Sequence, residues 1–538
     1  MKQIVLISGH ICSGKSRLAR DLARDFGFRR VKTSEVVRRH AQERGRPTDR
    51  LSLQALGDEL DRSTSGGWVS EEVLRLSSET PAAARVVVDA VRIKAQIERC
   101  RERFGWRVVH VHLSAPEEIL EQRFEGRKRE GREHDAALSF QKATLNKTEQ
   151  DVDYLSTEAD LCIDTGLTDS ADTLVRVAAR LGLYAPPSVR CVDVLVGGQY
   201  GSEGKGHIAA YLAKSYPVLV RVGGPNAGHT VASQDGVYTY HHLPSGCKDT
   251  ESQVVIGPGA VINVRGFLKE AADCGLTSAR LFVDPQAMTI AEADISGEQG
   301  LASAIASTQS GSGLALARKI AERGSSAVVL ARDAPELRPF LRPTYEVLEA
   351  AYGAGSKILL EGTQGSGLSL HHGKYPFVTS RDTNVAGCLA EAGISPTRVR
   401  RVLMVVRTHP IRVENPDGGT SGPLKSEISF DEVARRAGLD AAEVASREIT
   451  STTKRKRRVG EFDWEQFRHA CALNAPTDIV LTFADYIRID NRRARRFEQL
   501  TADTIKFIEE LEMVAHAPVS LINTRFDPRS VIDRRDWS

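Results

Sequence analysis

The chain contains no apolar run approaching the ~20 residues that span a bilayer. Its opening, MKQIVLISGH, enters a strand-like segment with no cleavable signal pattern, so a cytoplasmic protein with no membrane partner is expected. Charge of one sign is also lacking. With 73 Lys and Arg against 70 Asp and Glu the net charge is +3, which offers no electrostatic case for nucleic acid as the main partner. The eight cysteines are scattered, with no CxxC pair and no Cys/His cluster at zinc spacing, which excludes a disulfide framework and a structural zinc and fits a reducing compartment. No internal repeat or low-complexity tail is present. What remains is a globular composition, 41% hydrophobic and 27% charged, on 538 residues. At about 100 to 200 residues per domain that length predicts two to four units.

Strand-like runs at 4–7, 86–88 and 108–113 alternate with charged helical segments up to residue 183, the rhythm of a parallel α/β sheet. Residues 184–190, with Pro186-Pro187, read as a linker, and a new strand at 191–196 opens a second α/β unit running to 538.

Gly9-His10-Ile11-Cys12-Ser13-Gly14-Lys15-Ser16 satisfies GxxxxGK[ST] between a strand and a helical run. Its amides, with Gly9, Ser13 and Gly14 shaping the loop, are expected to cradle the phosphates of ATP. Lys15 would reach the transferred phosphate and Ser16 would ligate Mg2+. Asp89 and Arg92 stand at the mouth of a buried strand. Arg123, Arg127, Arg129 and Arg132 form a segment suited to closing over a transferring phosphate. The set resembles the nucleoside monophosphate kinase and dephospho-CoA kinase group of small P-loop kinases, so residues 1–183 are expected to be a nucleotide kinase domain. No motif identifies its acceptor.

A second glycine-rich loop, GGQYGSEGKG at 197–206, is not a Walker loop. Gln199 replaces the required glycine and Gly206 the Ser or Thr, yet glycine amides and a lysine after a strand still suit phosphate. Downstream stand GGPNAGHT (223–230), HLPSG (242–246), Ser307-Thr308, EGTQG (361–365), HGKYPFVTS (372–380) and TTKRKRR (452–458). In this order the blocks resemble the adenylosuccinate synthetase family, over nearly all of 191–538. The resemblance implies an α/β fold of two P-loop-NTPase-like domains, an N-terminal small kinase fold and a C-terminal adenylosuccinate-synthetase-like fold. It implies a homodimer, and a ligase that joins L-aspartate to C6 of a purine nucleoside monophosphate after phosphorylating the 6-oxygen.

Carried over by position, Lys205, with Gly201, Glu203, Gly204 and Gly206, would meet phosphates. His229 would act as general acid on the 6-oxygen and Asn226 would hold the transferring group. Thr308 and Thr379 would bind the 5'-phosphate, and Gln364 the purine. Thr452, Thr453, Arg455 and Arg457 would clamp aspartate, arginine being suited to bidentate pairing with carboxylates. Mg2+ would lie near Ser202 and the Gly228 carbonyl, and Asp485 near the donor base.

The sequence departs from the family in three places. Ser202 replaces the aspartate that serves as catalytic base. A short neutral side chain there leaves room for a purine 2-amino group, and the replacement marks a phage-type branch acting on dGMP. Glu203, a water or the substrate phosphate then stand as candidate bases. In the donor motif Phe483 replaces a lysine, which favours ATP over GTP. The arginine expected to reach a neighbouring subunit falls near Arg323, one position out of register. An ordinary IMP- and GTP-dependent synthetase and a catalytically inactive nucleotide-binding regulator are the alternatives.

Overall fold

A computed structural model describes residues 3–78, 85–130, 139–144, 151–233, 236–299, 304–415, 419–450, 454–527 and 529–536. The chain divides into two compact units, Met1–Tyr184 and Ala185–Ser538.

The first unit is a five-stranded parallel sheet in the order Arg29–Val31, Arg85–Val88, Gln3–Gly9, Val108–Ser114, Leu161–Asp164. Its central strand is a continuous apolar run because helices cover both faces. Ile4 and Leu6 pack into one layer with Leu56 and Ile97, Val5 and Ile7 into the other with Leu18, Leu22 and Val177. His110 and His112 interrupt the apolar pattern of the next strand, and both hydrogen-bond the Ser8 hydroxyl (2.7 and 2.9 Å). Helix Lys15–Phe26 springs from the first strand's loop and stops at Gly27, whose φ of 69° is left-handed.

The second unit is built on a nine-stranded sheet in the order Leu281–Val283, Gln253–Ile256, Val218–Arg221, Ile358–Glu361, Val192–Gly197, Val399–Arg407, Asp478–Thr482, Val519–Asn523, Val531–Asp533. Only the last pair is antiparallel among the described strands. Val194 and Val196 enter one core layer and Leu195 the other. The first strand of the unit sits mid-sheet with later strands on both sides, so the order reverses at its C-terminal end, where ligands bind in open α/β sheets. A small antiparallel sheet, Ile411–Val413, Arg457–Gly460, Glu427–Ile428, fixes the base of the segment carrying Arg457.

Within the segment read as a linker, 184–190, Tyr184 closes the first unit and residues 185–189 are held to the second. The Arg398 guanidinium donates to the carbonyls of Pro186 (2.6 Å), Ala185 (3.2 Å) and Val189 (3.4 Å). Among the described residues no helix is long and apolar enough to cross a membrane.

Candidate active site

Strand register places the chemistry of the second unit. Arg221 pairs with Glu361 on the neighbouring strand, and Arg407 with Thr482, so four strand ends present polar groups at one edge of an apolar sheet. Backbone strain gathers at the same edge. Of the eleven non-glycine residues with positive φ among those described, six (Ser202, Ala306, Gln309, Gln364, Lys454 and Phe483) lie in the loops singled out for binding. Such clustering marks functional sites.

The loop before helix Lys205–Ala213 is braced from within. Glu203 is fully buried; its Oε1 accepts from the amides of Gln199 (3.1 Å) and Gly201 (2.8 Å), and its Oε2 lies 2.5 Å from Lys205 Nζ. Gly365 makes room for it, since a Cβ there would fall 2.2 Å from that carboxylate. The expectation of Glu203 as a candidate base is therefore corrected: both oxygens of its side chain are engaged inside the loop, and its carbonyl accepts from the Thr482 hydroxyl (2.6 Å). Gln199, the residue that spoils the Walker pattern, is buried too. Its amide donates to the Arg407 carbonyl and accepts from the Arg407 N–H, both at 3.0 Å, copying a rung of strand pairing.

Ser202 is exposed, at φ 54°. Arg457 Nη2 points to its hydroxyl at 3.4 Å, Nη1 pairs with Glu448 at 3.0 Å, and Nε is buried without an acceptor among the described residues. A buried guanidinium N–H left without an acceptor is hydrogen-bonding capacity held in reserve. Arg455 Nη1 donates to the carbonyls of Ala306 (3.2 Å) and Ser307 (3.3 Å), which joins the aspartate segment to the one holding Thr308. Thr452 and Thr453 lie outside the described residues.

His229 follows the turn containing Asn226 and Gly228 and packs against the start of helix Lys205–Ala213. A Cβ on Gly206 would come within 2.9 Å of the His229 Cβ, so glycine is required there. His229 Nδ1 lies 2.5 Å from Glu361 Oε1, and Glu361 also accepts from the Ser245 amide and hydroxyl (both 2.7 Å). Burial alone would raise Glu361, but Arg221, His229 and Ser245 hold it at about 2. Burial, reinforced by the Arg221 cation, pushes His229 down to about 4 against the pull of Glu361. The resting ring is therefore neutral, its Nδ1 lying between Glu361 Oε1 (2.5 Å) and Arg221 Nη1 (3.2 Å). Asn226 donates to Thr379 (3.3 Å), and the Gln364 carbonyl accepts from Thr363 (2.9 Å), whose hydroxyl in turn receives Arg381 (2.6 Å).

On the far side, Phe483 lies over the Arg407 guanidinium, 4.0 Å from ring centroid to carbon. Asp485 is buried, with Oδ2 accepting from Arg492 (3.0 Å), Oδ1 without a hydrogen-bond partner among the described residues, and its pKa raised by burial. Arg221, Glu361, Arg407 and Glu448 escaped sequence reasoning. Glu361 opened a motif that had drawn attention only to Gln364, and the others carry no motif.

Mg2+ has a limited protein donor set here. Ser202 and the Gly228 carbonyl are neutral, Glu203 is committed, and no cluster of three His, Cys, Asp or Glu capable of holding a metal exists among the described residues. An ion of this kind fits when its negative partners are substrate phosphates, which is how Mg2+ usually enters nucleotide sites. When bound it would neutralise phosphate charge.

In the first unit Gly9 (φ 133°) and Gly14 (φ 99°) shape the P-loop, and a Cβ on Gly9 would strike the Leu113 carbonyl at 2.0 Å. Lys15 Nζ folds back on the carbonyls of Gly9 (2.5 Å) and His10 (2.6 Å), Ser13 Oγ is buried without a hydrogen-bond partner among the described residues, and Ser16 is exposed at the helix start. A cavity of about 370 Å³ adjoins the loop, lined by Gly14, Arg17, Arg123, Arg127 and Thr165 among others. Arg123 bonds Thr165 Oγ1 (3.0 Å) and the Cys12 carbonyl (3.4 Å). The four-arginine expectation narrows to these two: Arg129 turns back to its own helix at Glu125, and Arg132 lies outside the described residues. Asp89 is buried against Arg30 (2.7 Å) and the Thr33 amide (3.1 Å), while the Arg92 amide donates to Gln96 (2.9 Å).

Comparison with known proteins agrees with this division. The adenylosuccinate synthetase family model matches residues 194–335 and 329–492, and an AAA domain model matches 4–148. Adenylosuccinate synthetase of Pyrococcus horikoshii is 34% identical over 352 residues, 64% of this chain and 98% of its own. That of Methanocaldococcus jannaschii is 35% identical over 352 residues, 64% of this chain and 96% of its own. Among solved structures, cyanophage S-2L succinoaminodeoxyadenylate synthetase bound to dGMP and dATP as an energy donor is 29% identical with a TM-score of 0.53, covering 64% of this chain and 95% of that one. The Plasmodium falciparum adenylosuccinate synthetase, 20% identical with a TM-score of 0.56 and covering 64% of this chain and 100% of that one, shares the fold. With its second unit matched over this length, and a P-loop domain matched by the AAA model in front of it, the chain belongs to the adenylosuccinate synthetase family.

Proposed function

We propose that the ligase unit joins L-aspartate to C6 of a guanine nucleotide, dGMP or GMP, using ATP. The γ-phosphoryl group of ATP passes to O6 with release of ADP, while the N1 proton of the purine leaves to water or to the substrate phosphate. The aspartate amine then attacks C6 and expels phosphate, leaving a succino-2-aminoadenine nucleotide. His229 gives a proton to the departing oxygen, Lys205 and Asn226 steady the transferring phosphoryl group, and Thr308, Thr379 and Gln364 hold the acceptor. Arg455 and Arg457, with Thr452 and Thr453, take the aspartate carboxylates. The N-terminal unit acts as a nucleotide kinase of the same pathway, with Lys15 and Ser16 on ATP and Mg2+ and Asp89, Arg92, Arg123 and Arg127 around the transfer. The working form is a cytoplasmic homodimer.

One observation carries the choice of purine: the residue in the family's catalytic-base position is a neutral, exposed serine 3.4 Å from Arg457. The 29% identity to a phage enzyme bound to dGMP and dATP supports it. The archaeal adenylosuccinate synthetases at 34 to 35% identity favour a second reading, IMP with GTP. Mass spectrometry of products formed from aspartate, Mg2+, ATP or GTP, and dGMP, GMP, dIMP or IMP in parallel decides between them. A succino adduct on dGMP or GMP with ATP is expected. An adduct on IMP with GTP alone overturns the guanine assignment.

A further inference from the structure

Glu448 lies at the end of helix Ala441–Arg447, 2% exposed, and no step above uses it. Its carboxylate receives three donors from three parts of the chain: Arg407 Nη2 (2.7 Å), Arg457 Nη1 (3.0 Å) and the Tyr486 hydroxyl (2.8 Å). The backbone adds a fourth tie, the Arg457 amide donating to the Glu448 carbonyl at 3.2 Å. Next to it, the Thr450 amide donates to the Arg455 carbonyl (2.9 Å), and the Arg455 amide to the Thr450 hydroxyl (2.8 Å). Residues 448–450 and 455–457 are thus the paired stem of the segment that presents both aspartate arginines, and Glu448 is its anchor.

The other arginine on Glu448 leads elsewhere. Arg407 is fully buried, its guanidinium carries the Phe483 ring at 4.0 Å, and its Nη1 reaches the Ser202 carbonyl at 3.4 Å. Phe483 and Tyr486, in edge contact at 5.2 Å, belong to the loop that replaces the family's donor-base motif. One buried carboxylate therefore fixes the aspartate arm, the floor beneath the donor-base loop and, through both arginines, the main chain and hydroxyl of Ser202. Two guanidinium cations against one carboxylate leave a surplus positive charge, which an incoming dicarboxylate complements.

We propose that Glu448 is a positioning residue that couples aspartate binding to donor-nucleotide binding, by holding Arg457 toward the amino acid and Arg407 under the donor base at once. The proposal rests on the reading in which Arg457 meets aspartate. A neutral side chain at 448 frees both guanidinium groups to rearrange, so the two substrates lose affinity together while the acceptor nucleotide, held by Thr308 and Thr379, does not. Linkage makes the effect reciprocal: in the intact protein saturating ATP tightens aspartate, and aspartate tightens ATP, by the same factor.

The test is a KM-against-kcat comparison on the full chain, wild type beside Glu448→Gln, Glu448→Asp and Tyr486→Phe. Glu448→Gln is expected to raise the aspartate KM at least tenfold and the ATP KM at least threefold, with the dGMP KM within twofold. Glu448→Asp should recover part of both. Tyr486→Phe, which keeps the charge balance, gives smaller shifts in the same two constants and carries the test if Glu448→Gln fails to fold. Unchanged aspartate and ATP constants, or an equal loss for all three substrates, overturn the proposal. Should the wild type give no succino product with any purine monophosphate, the functional reading falls on its own. Calorimetric ATP binding, with Lys15→Ala in both proteins to weaken the N-terminal ATP site, then still reports on Glu448, an unchanged Kd in Glu448→Gln being the adverse result.

Discussion

Replacing Ser202 by aspartate restores the family's residue and tests the central assignment. The backbone tolerates it, because Asp enters the left-handed region more readily than most residues and φ here is 54°. The new carboxylate would stand near Arg457, whose Nη2 is now 3.4 Å from the serine hydroxyl. Two unit charges about 4 Å apart interact by about 4 kcal/mol at an effective dielectric of 20. Because position 202 is exposed, solvent reduces the net attraction to about 1 kcal/mol. Arg457 is drawn toward residue 202, so the aspartate KM should rise about fivefold whatever the purine, by that same energy. The purine is affected separately. Crowding a 2-amino group is worth about 1–3 kcal/mol, so kcat/KM for dGMP relative to IMP should fall between about fivefold and about 150-fold. Steady-state rates with both acceptors, at saturating and limiting aspartate, separate the two effects. A Ser202→Asp protein that keeps its preference for dGMP with an unaltered aspartate KM would refute the reasoning.

Other outcomes follow from the same geometry. His229→Asn should lower kcat by roughly 10² to 10⁴, the usual worth of a general acid, with nucleotide KM values little changed; steady-state kinetics check it. Lys15→Ala should abolish phosphoryl transfer by the N-terminal unit to any nucleoside monophosphate while leaving the rate of succino product unaltered, which parallel assays of both reactions would reveal. His207, which is buried, and His229 and His409, which are half-buried, each hold a pKa of about 4 in the folded chain because removal from water disfavours their charged form. The unfolded chain takes up protons near pH 6.5 that these sites refuse, so the stability of the second unit is full above pH 6.5 and falls as pH drops toward 4. At pH 5 the loss is about 2 kcal/mol per histidine by linkage, and urea unfolding at pH 7 and 5 measures it.

The P-loop, the strand that feeds it and the glycine blocks of the second unit were legible because local geometry demands those residue types. A left-handed turn needs Gly14, and only Gly206 lets His229 approach its helix. The groups that tune the site were not legible. Glu361 reaches His229 from 132 residues away, and Arg407 meets Ser202 from 205 away, through strand register that no local pattern records. Glu203 misled for the opposite reason. Its place in a glycine loop suggests chemistry, but a side chain within four residues of the amides it can satisfy turns inward and closes the loop on itself. Arg30, the partner of Asp89, sits on a three-residue strand too short to have a readable period.

The Gln199 amide has a consequence for how such an enzyme changes its substrate. By taking the place of a peptide group between two strands, it makes the shape of the loop independent of whatever occupies position 202 three residues on. The frame is bolted to Arg407, and Glu203 locks it from inside, so residue 202 behaves as an exchangeable plug in a rigid socket. On the proposed reading of Ser202, a lineage with this frame could trade one purine for another by a single codon while the loop around it keeps its shape.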